Sequence, residues 1–266
     1  MEEKDLLKGR VRDLSFRVRE MQYVTHTPFL SQSEQALFFS ILKEEGGSLL
    51  KKECLGVKFF LYGGYEEADR KRIYFIPDYE NQEEQKEKED EGESFLLLEA
   101  KPRNIRFADT LTHRDFLGAL MNLGFKRECF GDILTDSHTG YIFVEKGIAD
   151  QVKEELSKVK HTDMDCSLLL PKELPLRPRF EEKNVFIASD RLDNVLAEVF
   201  SLSRRSAQEV IASESVFVNG VTEKNNSHVL KANDRVSVKG HGKFLYLDEA
   251  RPTKRGRLVA KVKLYI

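Results

Sequence analysis

Three prolines within residues 171–178 divide this chain more sharply than any other feature in it. Proline locks φ, has no amide proton to donate and pushes the residue before it toward extended backbone. The stretch Pro171-Lys-Glu-Leu-Pro-Leu-Arg-Pro178 therefore cannot continue a helix, and a linker over residues 171–182 is predicted. With 266 residues in all, each side of that linker is long enough to bury a core.

Charge follows the same division. From Lys183 to Ile266 there are 15 Lys and Arg against 9 Asp and Glu, a net +6; the remainder carries 28 against 36, a net −8. A positive module on an otherwise acidic chain is what contact with phosphate requires. No apolar run approaches the roughly 20 residues of a membrane span. The start, Met1-Glu2-Glu3-Lys4-Asp5, has neither the basic residues nor the apolar stretch of a secretory signal, so a cytoplasmic protein that does not enter membranes is expected. Cys54, Cys129 and Cys166 lie far apart and form no Cys-x-x-Cys pair, which predicts reduced, mostly buried thiols and no zinc site.

Before the linker, residues 1–79 read as an α/β segment. Leu6, Leu7, Val11, Leu14 and Val18 recur at near-helical spacing, a second helix comes after Thr27-Pro28 through Ala36, Phe38 and Ile41, and Gly46-Gly47 stops it. Residues 57–64 and 72–76 read as strands with too few neighbours for a core of their own, so they are expected to pack on the segment C-terminal to them. Residues 80–93 are almost all charged or amide-bearing, which predicts a solvated loop. Residues 94–170 then give strand 95–99, helix 112–123, strands 131–135 and 141–145, helix 148–159 and strand 166–170. That βαββαβ order is the ferredoxin-like arrangement of two helices on one antiparallel sheet, within an α+β chain overall.

The last segment, 183–266, opens with Leu192, Val195, Leu196 and Val199 on one helical stripe, with Ser189 or Asp190 as the predicted cap. A second helix starts at Ser203 with Ala207, Val210 and Ile211 inward, which leaves Arg204, Arg205 and Gln208 near its exposed start. Guanidiniums beside the unpaired N–H groups of a helix start suit a phosphate. Val216-Phe217-Val218 runs into Asn219-Gly220, a strong hairpin signal, and Arg235, Ser237 and Lys239 alternate with inward Val236 and Val238 ahead of Lys243.

The ordered set Arg191-Leu192-Asp193, Ser203-Arg204, Ala207, Ile211, Val216-x-Val218-Asn219-Gly220 and Asn233-Asp234-x-Val236-x-Val238 resembles the S-four RNA-binding domain, named after a small-subunit ribosomal protein. The resemblance implies two helices on a small twisted sheet and RNA contacts from Arg191, Ser203, Arg204, Arg205, Gln208, Asn219, Lys231, Arg235 and Lys239, with Lys243 beside them. Asp193 is expected to orient Arg191 or backbone rather than to meet phosphate. The sequence departs from the pattern at Ser213-Glu214-Ser215, where the family has glycine. The whole chain, including the helix from Leu111 to Leu120 and the segment from Gly124 to Leu134, resembles the YlmH family of Gram-positive bacteria, encoded near cell-division genes. That resemblance implies binding to the large ribosomal subunit, with rRNA and tRNA as partners, in ribosome-associated quality control.

Other chemistry is sparse. Arg191-Leu192-Asp193 also resembles the catalytic triplet of pseudouridine synthases, but no catalytic-domain-sized segment surrounds it. No nucleotide-binding glycine pattern of the kind a tyrosyl-tRNA synthetase needs is present. His113, His138 and His161 lack metal-ligand spacing. The expectation is a monomeric RNA-binding protein without catalytic residues, metal or cofactor. An RNA-modifying enzyme and a cell-division-linked protein-interaction module are the alternatives. Arg103, Arg106, His113 and Arg114 are secondary RNA candidates around a helix that Thr112 and Asp115 can cap. Lys254, Arg255 and Arg257, in a basic loop before a last strand, complete the set; contacts of this kind favour shape recognition of folded RNA.

Overall fold

The computed structural model describes residues 2–176, 180–252 and 258–265. The chain forms two compact units, Met1–Arg177 and Pro178–Ile266. No helix among the described residues is long and apolar enough to cross a membrane.

The first unit opens with α1 (Glu2–Met21), β1 (Thr25–His26), α2 (Gln32–Glu44), β2 (Glu53–Cys54), β3 (Val57–Tyr62) and β4 (Arg72–Ile76). The strands form a four-stranded sheet in the order β1-β4-β3-β2. Contrary to the expectation from residues 57–76, one face of this sheet has a core of its own, in which Val11, Val18, Phe38, Ile41, Phe59 and Phe75 are buried together. The other face packs on the C-terminal half of the unit, as expected, through Phe29, Phe60, Tyr62 and Tyr74 against Phe95, Leu97, Tyr141 and Phe143.

The acidic stretch is not a loop. It folds as α3 (Gln82–Asp90), capped by Asn81, whose side chain accepts from the Glu83 amide at 2.9 Å. Its anchors are polar, which is why hydrophobic periodicity does not reveal it. Gln85 and Glu89 are buried; Glu89 accepts from the Ser94 hydroxyl at 2.6 Å, and Gln85 donates to Glu93 at 2.8 Å.

Next come β5 (Phe95–Pro102), α4 (His113–Asn122), β6 (Phe130–Asp136), β7 (Thr139–Glu145), α5 (Lys146–Glu155), β8 (Lys158–Val159) and β9 (Thr162–Leu169). The sheet order β6-β7-β5-β9-β8, antiparallel throughout, is the ferredoxin-like order with a short hairpin strand added at one edge. Helices α4 and α5 cover one face through Phe116, Leu120, Ala149 and Val152. The opposite face meets the aromatic residues of the first sheet. Strands buried on both faces need apolar residues at consecutive positions, and Phe95-Leu-Leu-Leu98 and Tyr141-Ile-Phe-Val144 supply them.

The second unit contains β10 (Phe180–Ile187), α6 (Leu192–Val199), α7 (Arg204–Ala212), β11 (Val216–Val218), β12 (Val221–Thr222), β13 (Asp234–Val238), β14 (Gly242–Pro252) and β15 (Leu258–Tyr265). The six strands are ordered β10-β15-β14-β13-β11-β12. Leu192, Val195, Leu196, Ala207 and Ile211 of the two helices bury against Val216, Val236, Phe244 and Val262 of the sheet. Strand β10 takes in residues 180–182, which the sequence places in the linker. It pairs with β15 along its whole length, from Phe180↔Tyr265 to Ile187↔Leu258.

Candidate nucleic-acid interface

The start of α6 is not capped by Ser189 or Asp190. Main-chain carbonyls of the loop between β12 and β13 do that work: the Leu192 amide donates to His228 at 2.8 Å and the Asp193 amide to Asn226 at 3.3 Å. Asp190 instead accepts a short hydrogen bond from the Tyr246 hydroxyl, and Ser189 accepts from Asn194 at 2.7 Å. With the helix end satisfied by backbone, the first-turn side chains are available for another purpose.

That purpose centres on Asp193, whose carboxylate is buried. Arg191 donates to it through Nε at 3.1 Å and a terminal amino group at 3.0 Å, a two-point contact that fixes the guanidinium plane. Gln208, from α7, donates to the same carboxylate at 3.1 Å, and the Arg204 guanidinium approaches to 3.6 Å. Burial opposes ionisation of Asp193, but hydrogen bonds from Arg191 and Gln208 and the charges of Arg191 and Arg204 outweigh it and hold its pKa below the ordinary carboxylate value. One inward anion thus gathers two cations and an amide from two helices. Because Arg204 stays 63% exposed, its charge is presented to solvent.

Ser203 caps α7, accepting from the Ser206 amide at 3.0 Å. Arg205 is exposed and paired along the helix with Glu209 at 3.0 Å. Asn219 and Gly220 both adopt positive φ, 51° and 81°, as the tight hairpin turn demands. The Asn219 side chain is used there: it donates to Asp234 at 2.8 Å and accepts from the Arg235 amide at 2.9 Å. Lys231 is exposed, and its amide donates to Asp234 at 2.7 Å. Arg235 and Lys243 lie on β13 and β14, and Lys239 follows the end of β13. Lys254, Arg255 and Arg257 lie outside the described residues. Glu214 stands where glycine is usual, at φ 57°, a left-handed conformation that glycine enters most easily. Its carboxylate is tied to Lys224 at 2.7 Å.

In the first unit, Asp115 accepts from both the amide and the hydroxyl of Thr112 at 2.7 Å, as the capping reading anticipates. His113 and Arg114 are exposed on the first turn of α4, and Arg114 lines an open groove with Lys158 and Lys160. Arg103 is held by Asp165 at 2.8 Å. Sequence reasoning missed Ile105 and Phe107, 70% and 80% exposed, on the short turn that carries Arg106. The signal was present in Asn104-Ile-Arg-Phe107, apolar residues beside a turn-capping Asn and an arginine. The three cysteines are free, Cys54 buried and Cys129 and Cys166 half-buried.

Two family models match the chain, one described as the putative RNA-binding domain in YlmH over residues 97–169 and the S4 domain over residues 190–236. The first covers most of the ferredoxin-like sheet and the second the Asp193 cluster. In this chain the match to the domain described in YlmH precedes the match to the S4 domain. A relative in Bacillus subtilis (strain 168), named ribosome-associated protein quality control protein P2, is 27% identical over 230 residues, which span 85% of this chain and 81% of that protein. Among solved structures, the cell division protein ylmH from Streptococcus pneumoniae aligns with a TM-score of 0.47 and 19% identity, over 65% of this chain and 95% of the other.

Proposed function

We propose that this chain is an RNA-binding adaptor. It docks on structured RNA, ribosomal RNA or tRNA, at the large ribosomal subunit and serves ribosome-associated quality control in the cytoplasm as a monomer, without catalysing a reaction. The observation that carries this reading is the Asp193 cluster, because a buried anion that orients two arginines at a helix start prepays the ordering that phosphate binding would otherwise cost. The name of the Bacillus subtilis relative supports the ribosomal setting. The same cluster counts against a pseudouridine-synthase role for Arg191-Leu192-Asp193, since a buried carboxylate saturated by Arg191 and Gln208 is poorly placed to meet a substrate base.

Sedimentation with ribosomes and separated subunits across a salt series tests the proposal, comparing wild type with Arg204→Ala/Arg205→Ala. Wild type is expected to travel with the large subunit, and both added salt and the double substitution to release it. Wild type remaining at the top of the gradient at low salt would refute ribosome docking.

A further inference from the structure

Helices α6 and α7 cover one face of the six-stranded sheet; the other face carries a pattern that the helix-start cluster does not use. Strand alternation buries Val185, Val216, Val236, Phe244 and Val262 and turns their neighbours outward. Four outward side chains on these strands are aromatic: Phe180 and Phe186 on β10, Phe217 on β11 and Tyr265 on β15. Three of these rings have a lysine ammonium over them, Lys263 above Phe180 at 4.0 Å, Lys239 above Phe217 at 5.3 Å and Lys243 above Tyr265 at 4.4 Å.

These residues share a row. Phe217 pairs in register with Ser237, Ser237 with Lys243, and Tyr265 with Phe180, whose ring meets that of Tyr265 edge to face at 4.8 Å. From β11 to β10 the row crosses four strand spacings, about 19 Å at about 4.8 Å each. Arg235 and Lys261 add two further outward cations. Among the described outward side chains of these strands Glu182 is the single acid, and Lys261 holds it at 2.5 Å.

A lysine stem lying on a surface ring covers apolar area while its ammonium meets the π face. An unpaired nucleotide offers a better partner to each half, a base for the ring and a phosphate for the ammonium. Duplex RNA hides its base faces in the stack and offers the phosphates alone. We propose that the outer sheet face of the second unit binds unpaired RNA strand, with bases on Phe217, Tyr265 and Phe180 and with Lys239, Lys243 and Lys263 moving from ring to phosphate. The surface is separate from the Asp193 cluster, so the protein would hold folded RNA at the helix start and an unpaired strand on the sheet.

Fluorescence anisotropy of the full chain with a labelled decauridylate and with a labelled RNA hairpin tests this. The triple variant Lys239→Gln/Lys243→Gln/Lys263→Gln is expected to lose at least tenfold on decauridylate and less than threefold on the hairpin. Its salt slope on decauridylate is expected to fall by about 2, since each single-strand phosphate contact contributes about 0.7. Phe217→Leu/Tyr265→Leu, which keeps apolar volume but removes two rings, is expected to lose about tenfold on decauridylate with its salt slope unchanged. Arg204→Ala is expected to show the opposite selectivity, weakening the hairpin and sparing decauridylate. Failure of wild type to bind decauridylate at low salt would overturn the proposal. So would a triple variant that binds decauridylate within twofold of wild type, or one that loses both RNAs equally.

Discussion

Both units of the molecule hold an arginine–carboxylate set, but the first buries both members and the second buries the carboxylate alone. In the first unit the buried arginine is Arg72, its guanidinium 4.4 Å from the centre of the Phe29 ring and 5.7 Å from that of Phe95. It donates to the Ser94 hydroxyl at 3.0 Å, and Ser94 donates in turn to buried Glu89. In the second unit the carboxylate of Asp193 is inside and its arginines face outward. A cation sealed among aromatic rings joins secondary structure and offers nothing to a partner. An anion sealed beneath two cations holds them in place and leaves their charge available. The same residue types are therefore structural in one unit and, in the other, the groups we propose for RNA contact.

The strongest test of this contrast is to remove the arginine of the first set. Arg72→Ala is expected to destabilise the first unit by about 3–5 kcal/mol, because it empties a packed site and strips Glu89 of its nearest buried cation. Urea denaturation would measure that loss, and hairpin affinity under native conditions is expected to stay within twofold of wild type.

Acid separates the units next. Burial and the neighbouring Arg72 charge push the His26 pKa down to about 4, against an unfolded value of about 6.5. The unfolded chain then takes up a proton at His26 before the folded one does, so the contribution of His26 to the stability of the first unit falls by on the order of 3 kcal/mol as pH drops from about 6.5 to about 4. Asp193 has the opposite origin: its lowered pKa gives stability that is present above about 3.9 and lost only below it. Thermal melts between pH 7 and pH 4.5 are expected to show the first unit weakening while the second holds, and His26→Gln to flatten that dependence.

Arg204→Ala should have the reverse profile of Arg72→Ala. As an exposed group it is expected to change stability by less than about 0.5 kcal/mol and hairpin affinity by about tenfold. Asn219→Ala is expected to cost the second unit about 1–2 kcal/mol through the lost turn bonds and the strained positive φ. Its hairpin affinity, compared by anisotropy, is expected to stay within twofold.

The range of each interaction decides how legible it was in the sequence. The ferredoxin-like order, the stripe of α6, the Ser203 cap and the Asn219-Gly220 turn depend on residues a few positions apart, and their patterns are local. The orientation of Arg191 by Asp193, two residues away, was legible for the same reason. The additional hold of Asp193 on Gln208 and Arg204 was not, because it exists only once α6 and α7 pack together. Helix α3 was missed because its buried face is glutamine and glutamate, and β10 because its partner β15 lies at the far end of the unit. The row of rings beneath lysines is likewise assembled from strands distant in sequence.

The central claim, that buried Asp193 organises the outward arginines for RNA, is tested most directly by the hairpin affinity of Asp193→Asn, with a thermal melt to establish that the variant is folded. The substitution removes a negative charge from beneath a phosphate-binding surface, so electrostatics alone predicts tighter binding. The account predicts binding about tenfold weaker, because Arg191 and Arg204 lose the anion that orients them. It also predicts little further loss when Arg204→Ala is added. A folded Asp193→Asn protein that binds the hairpin as tightly as wild type, or more tightly, would contradict it.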